Sequence, residues 1–171
     1  MKNLGKEFEK IIKESAKKNE LYFLRLQDNL KFGGKVEGAR FTQKSPYDGI
    51  LFNPPKLYCL ELKSVGGTSL SYGDKPSCNI KNHQIKSLNE ASVYKNIIAG
   101  FLIQFREREV KTYKREETVF FINIIDFDNF IKNNDKKSIS FNDCKKIGIE
   151  IPKINIGKRK IRYIYDLEKL N

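Results

Sequence analysis

The run Leu57 to Lys63 (LYCLELK) constrains this chain more than any other feature: it is an apolar, strand-like segment that carries a carboxylate, Glu61, and an ammonium, Lys63. Side chains alternate faces along a strand, so Glu61 and Lys63 share one face while Leu60 and Leu62 take the other. Upstream, Tyr47 to Phe52 (YDGILF) is a second apolar run led by an acid, Asp48, and Asn53-Pro54-Pro55-Lys56 separates the two. Prolines cannot continue a ladder, so the connection is read as a turn and the pair as a hairpin.

With a four-residue turn, Phe52 pairs with Leu57, Leu51 with Tyr58, Ile50 with Cys59 and Gly49 with Leu60, which sets Asp48 against Glu61. Opposed residues have Cβ atoms about 4.5 to 5.5 Å apart, and like charges at that distance destabilise a sheet. A cation belongs between them. Lys63 supplies one positive charge, and paired carboxylates with open lone pairs are also how proteins hold Mg²⁺. From these residues alone two readings stand, an ion pair on a strand and a metal centre, and a one-residue slip would separate the acids.

A chain of 171 residues suffices for one domain with its own core. We expect that core over about 3–135, with a basic extension over about 138–171. The net charge of +12 favours a polyanionic partner such as nucleic acid over an acidic small molecule. Most of the 33 basic residues are lysine, a bias that codon composition alone can produce. Cys59, Cys78 and Cys144 are isolated and form no C-x-x-C pair, which argues for a reducing compartment and against zinc. The N-terminus (MKNLGKEFEKIIKES) has no apolar core of signal-peptide length and no apolar stretch approaches the length of a membrane span, so a cytoplasmic protein without membrane contact is expected.

Residues 3–19 carry a helical stripe of Leu4, Phe8, Ile11, Ile12 and Ser15, with Glu9 at its edge. Residues 20–27 read as a strand. Asp28 to Pro46 is glycine-containing and basic, including Lys35, Arg40 and Lys44, and reads either as a solvated loop or as a finger that grips a phosphate backbone. Ser64 to Ile80 reads as seventeen irregular residues, a length that inside a domain usually signals function. A helix is expected from Lys81 or Asn82 to Lys95, opened by His83 and Gln84. His83 is the only histidine, and no serine has nucleophile-elbow glycines, which weakens a Ser-His-Asp hydrolase reading.

Ile97 to Phe105 and Thr118 to Ile125 are continuous apolar runs, as in strands covered on both faces. Arg106 to Lys114 reads as a charged hairpin turn or a strand extension, and Asp126 to Asn134 as a short helix. In the tail, Ile147, Ile149 and Ile151 alternate. Lys158, Arg159, Lys160 and Arg162 interleave with Ile161, Tyr163 and Tyr165, which fits a nucleic acid surface or a lysine-protected edge strand.

In this order the elements resemble the PD-(D/E)XK nuclease superfamily, in particular phage-type relatives of the RecU Holliday junction resolvases. Gly5 to Glu9 (GKEFE) looks like the family's first-helix G-x-x-x-E element. Asp48, Glu61 and Lys63 look like its central D…E-x-K, Thr68-Ser69 and His83-Gln84 like its T-S and H-Q elements, and Ala99 to Phe105 like its following strand. The similarity covers roughly residues 4–125. Two departures are visible: Asp48 directly precedes Gly49, and the segment before it, where the family inserts a junction-entering stalk, is short here.

The resemblance implies an α/β, restriction-endonuclease-like core with a central mixed sheet flanked by helices and a basic finger. It further implies a Mg²⁺-dependent endonuclease, with Mn²⁺ substituting, that acts as a homodimer on four-way or otherwise branched DNA. On this footing Asp48 and Glu61 are expected as metal ligands, with the Leu62 carbonyl a further ligand and Glu9 serving a second ion directly or through water. Lys63 is expected to orient the attacking water or stabilise transition-state charge, and Gln84 to hold water or phosphate. Thr68, Ser69, His83, Lys35, Arg40 and Lys44 are the expected DNA contacts. A restriction-like nuclease on duplex DNA and a non-catalytic basic DNA-binding module are the competing readings.

Overall fold

The computed structural model describes residues 4–26, 45–110, 112–157 and 162–170. Lys35, Arg40 and Lys44 of the expected finger lie outside them, as do Lys158, Arg159 and Lys160 of the tail.

Helix α1 (Leu4–Lys18) buries Phe8, Ile12, Ser15 and Ala16, the stripe its spacing predicts. Strand β1 (Tyr22–Arg25) pairs antiparallel with β2 (Gly49–Asn53), which turns through Pro54-Pro55 into the long β3 (Lys56–Val65). The register is the expected one, Gly49 against Leu60 and Phe52 against Leu57, and the turn is tighter because Asn53 also faces Lys56. Gly49 lies under the Phe23 ring, where a Cβ would stand 2.7 Å from ring carbon, so the residue after Asp48 has room for no side chain.

The segment after β3 departs from its expected irregularity. It forms β4 (Ser69–Gly73) and the two-residue β5 (Ile80–Lys81), which run parallel. Helix α2 (Asn82–Ser92) begins where expected and stops before Lys95. Strand β6 (Ile97–Phe105) lies parallel to β3, with Glu61 against Phe101 and Lys63 against Ile103. The charged turn is a hairpin of β7 (Arg108–Val110) and β8 (Tyr113–Arg115), after which β9 (Thr118–Asn123) returns antiparallel to β6.

Ile124 and Ile125 do not prolong β9. The Asn123 side chain accepts the Ile125 N–H at 3.0 Å and starts α3 (Ile124–Lys132) two residues before Asp126, the expected first residue. Strand β10 (Ser138–Ser140) then pairs with β4, Leu70 against Ile139, giving a three-stranded second sheet in the order β10-β4-β5.

Residues 138–170, expected as a basic extension, complete the core. Helix α4 (Phe141–Ile147) leads to β11 (Ile149–Ile151), which joins the main sheet beside β9, and β12 (Lys153–Asn155) pairs with β13 (Tyr163–Tyr165). Ile151, Tyr165, Leu167 and Leu170 are buried in the cluster that holds Phe8 and Ile12.

The main sheet has the order β1-β2-β3-β6-β9-β11, mixed because only β3 and β6 run parallel. A cluster including Leu88, Phe101, Ile103 and Phe127 fills the side covered by α2 and α3. A second, including Phe8, Leu60, Leu62 and Leu102, fills the side covered by α1 and the C-terminal segment. Gly100 allows β6 and β9 to approach, since a Cβ there would run into the Ile122 carbonyl and the Phe121 ring. Among the described residues no helix is long and apolar enough to cross a membrane.

Candidate active site

Strand alternation places Leu60 and Leu62 in the α1-side core, so Glu61 and Lys63 project to the α2 side. β2 begins at Gly49, and Asp48, the residue before it, turns its carboxylate onto β3: Asp48 Oδ2 accepts the Leu62 N–H at 2.8 Å. The Leu26 N–H donates to the Asp48 carbonyl at 2.9 Å, which ties the end of β1 to the same corner. In an extended strand a residue's N–H and C=O point to one edge. The Leu62 carbonyl therefore faces the edge beside Asp48, where β2 has not yet begun.

Glu61 is buried, at 4% exposure. Lys63 Nζ lies 2.9 Å from its Oε1 and donates to Gln84 Oε1 at 3.1 Å, while the Gln84 amide donates to the same Glu61 oxygen. Gln84 Oε1 also accepts the Lys81 N–H at 3.0 Å, so the carboxamide that caps the start of α2 fixes both charged groups of β3. Burial pushes the Glu61 carboxyl up to about 7; Lys63 pulls the other way and the neighbouring Asp48 adds to the rise. The net effect, with Lys63 included, disfavours the ionised form by about 3 kcal/mol.

Glu9, on α1, pairs with Arg25 Nε at 2.6 Å. Burial raises its proton affinity, Arg25 lowers it, and Asp48 raises it again, so the three acids share one electrostatic neighbourhood. Among the described residues, no three His, Cys, Asp or Glu side chains converge into a metal-holding group. Two carboxylates, Asp48 and Glu61, do face each other, and their mutual repulsion together with Glu61's burial is what a hard divalent cation with oxygen ligands relieves. The residues fit such an ion as a two-carboxylate site with Glu9 behind it.

A cleft of about 230 Å³ opens at this corner, lined by Arg25, Tyr47, Asp48, Glu61, His83 and Gln84 among others. His83 is exposed at its rim. Thr68 and Ser69 are elsewhere, lining a separate pocket beyond the end of β3. Sequence reasoning missed Arg25 and Tyr47. Arg25 sits on the short β1, where alternation alone gave it no role. Tyr47 precedes Asp48, bonds Cys59 through its hydroxyl, and has its phenol pushed up to about 12 by burial.

No protein-family model matches the chain. The SPbeta prophage-derived uncharacterized protein YotM of Bacillus subtilis (strain 168) is 39% identical over 181 residues, covering 98% of this chain and 85% of that protein. Among solved structures, Hjc of Archaeoglobus fulgidus, described as a Holliday junction resolvase from an archaeal hyperthermophile, superposes with a TM-score of 0.53 at 15% identity, over 85% of this chain and 95% of that one. The chain thus shares that protein's fold, a restriction-endonuclease-like central mixed sheet flanked by helices.

Proposed function

We propose that this chain, which belongs to the family of the prophage-derived protein YotM of Bacillus subtilis, is a metal-dependent endonuclease that hydrolyses phosphodiester bonds in branched DNA, as a homodimer acting on four-way junctions. The observation that carries this reading is the hairpin that sets Asp48 beside Glu61, with Lys63 and Gln84 closing the same face. The fold shared with a protein described as a Holliday junction resolvase supports branched DNA as substrate, and the +12 charge supports a polyanion.

In this reading Asp48 and Glu61, with the Leu62 carbonyl, would hold Mg²⁺ or Mn²⁺, and Glu9 would serve a second ion directly or through water. Such an ion, when bound, lowers the pKa of water and neutralises charge developing on the phosphoryl oxygens. Lys63 presents a compact ammonium beside the carboxylates, suited to orienting the attacking water or meeting transition-state charge. Gln84 holds Glu61 and Lys63 in place, and His83 contacts DNA from the cleft rim.

The experiment is a labelled four-way junction and a matched linear duplex, each incubated with Mg²⁺ or EDTA, with wild type beside Glu61→Gln. Paired symmetric nicks on the junction, dependent on Mg²⁺ and lost in Glu61→Gln, are expected. Cutting of the linear duplex replaces the junction reading with a restriction-like one. Binding without cleavage in any divalent ion leaves a DNA-binding module and defeats the enzyme reading.

A further inference from the structure

Strand β1 is the edge of the main sheet, and among the described residues it has a neighbour on one side only. The Leu26 N–H donates to the Asp48 carbonyl, toward β2, and these groups alternate in direction along an antiparallel strand. Leu24 and Tyr22 therefore also turn toward β2, while Phe23 and Arg25 turn their N–H and C=O outward. The Leu21 N–H, next in the outward series, donates to the Ala16 carbonyl at 2.9 Å and closes one end of the edge against α1. An edge strand with unpaired backbone groups is a template for another strand, and proteins guard such edges with proline or lysine. Tyr22–Arg25 contains neither.

Along this edge, between β1 and α1, runs a groove of about 500 Å³. Ala16, Leu21 and Phe23 give it an apolar floor, and its rim is cationic. Lys10, Lys13 and Lys17 recur at helical spacing on the face of α1 turned away from Phe8 and Ile12. All three are exposed, and among the described residues none has an ion-pair partner. The nearby acids are already engaged, Glu14 with Arg162 at 3.5 Å and Glu9 with Arg25 at 2.6 Å, so the charge of the lysines is not spent inside the protein. On the other face of β1, Tyr22 is 63% and Leu24 45% exposed, which leaves apolar surface on both sides of the open edge.

We propose that this groove docks an extended acidic segment of a partner protein, which adds to β1 as a further strand. The outward N–H and C=O groups of Phe23 and Arg25 pair with its backbone. Every second side chain enters the groove, where an apolar residue covers Phe23 and flanking carboxylates meet the lysines. The alternate side chains lie beside Tyr22 and Leu24. The dimensions agree, since Lys10 to Lys17 spans about 10 Å of helix and β1 about 13 Å of strand. A nucleic acid strand satisfies the ammonium groups but uses neither the free ladder positions nor the apolar floor. An acidic peptide uses all three, and docking here does not require the nuclease reading.

The probe is a fluorescein-labelled peptide, EDVFVDE, titrated into the full chain by fluorescence anisotropy at low and high salt beside its neutral counterpart, QNVFVNQ. Expected are saturable, salt-sensitive binding of EDVFVDE and about 10-fold weaker binding of QNVFVNQ. Lys10→Gln/Lys13→Gln/Lys17→Gln should show a similar loss, and these exposed helix positions accept glutamine without cost to the fold. Single N-methyl groups walked along EDVFVDE should weaken binding about 5-fold or more at alternate positions only, as for a strand paired along one edge. Absence of saturable binding, or binding indifferent to the three lysines, overturns the proposal. So does a flat N-methyl profile, which removes the added strand. If wild type ignores the peptide and the triple variant instead loses affinity for duplex DNA, or loses self-association in sedimentation velocity, the groove belongs to nucleic acid or to a second copy and the proposal falls.

Discussion

The Asp48 carboxylate accepts the Leu62 backbone N–H at 2.8 Å, across the open end of the hairpin. That bond places an acid from beyond the end of one strand directly beside an acid in the middle of the next. It uses one Asp48 oxygen, Lys63 and Gln84 use one Glu61 oxygen, and the two carboxylates hydrogen-bond each other.

Gln84 connects α2 to both charged groups of β3, and its replacement should loosen them together. Gln84→Leu removes the bond to Glu61, the bond to Lys63 and the cap on the Lys81 N–H. On the proposed reading, kcat for junction cleavage falls about 10- to 100-fold while DNA affinity in Ca²⁺ stays within twofold. A cleavage rate unchanged in single-turnover kinetics would remove Gln84 from the site.

Divalent ions should stabilise the fold through Asp48 and Glu61. At 100 times Kd a ligand specific for the native state adds about 2.7 kcal/mol, which for a domain of this size raises Tm by about 5 to 10 °C. Titration of Mg²⁺, Mn²⁺ and Ca²⁺ in differential scanning calorimetry should show this rise in wild type and its loss in Asp48→Asn. An equal rise in both proteins would place the ion elsewhere.

The acid limb of stability should depend on Glu117. Burial works to raise its carboxyl, but hydroxyl donors Tyr163 and Tyr165, each at 2.6 Å, and Lys153 at 3.1 Å outweigh this and hold it below its usual value. A folded-state pKa lower than the unfolded one gives stability that is present above about pH 4.5 and lost as pH falls through the folded value. Glu117→Gln should cost about 1 to 3 kcal/mol at pH 7, and urea denaturation between pH 5 and 3 should show a flatter stability profile for the variant than for wild type.

Gly100 and Gly67 make a matched pair. A Cβ at Gly100 collides with the backbone of Ile122 and the ring of Phe121, whereas one at Gly67 meets its nearest atom at 3.7 Å, an ordinary contact. Gly100→Ala should destabilise by about 3 kcal/mol or more and Gly67→Ala by less than about 1, as read from urea midpoints. Equal midpoints would contradict the close approach of β6 and β9.

The hairpin was legible because two apolar runs with acids at defined offsets, joined by two prolines, admit few registers, and the pairing of Gly49 with Leu60 follows from them. Helix α1 and strand β6 were legible for the same reason: one carries a clean 3.6-residue stripe and the other is apolar on both faces. Strand β4 was not, because Leu70 pairs with Ile139, nearly seventy residues away, and a Gly- and Ser-rich segment shows no such partner in its own pattern. The helix at Ile124 hid inside an apolar run until the Asn123 cap was seen. Arg25 was missed because its meaning comes from Glu9, on a different element.

The Ser15 hydroxyl on α1 accepts the Tyr165 N–H at 2.9 Å, and Asn19 Oδ1 accepts the Leu167 N–H at 2.8 Å. These bonds span about 150 residues of chain. A ribosome adding about 5 to 20 residues per second takes on the order of ten seconds to cover that distance. For all of that interval, the helix that carries Glu9 has no partner on this flank. The flank of α1 that these bonds hold is thereby completed only once the segment of Tyr165 and Leu167 has been made, in a step dominated by contacts between distant parts of the chain.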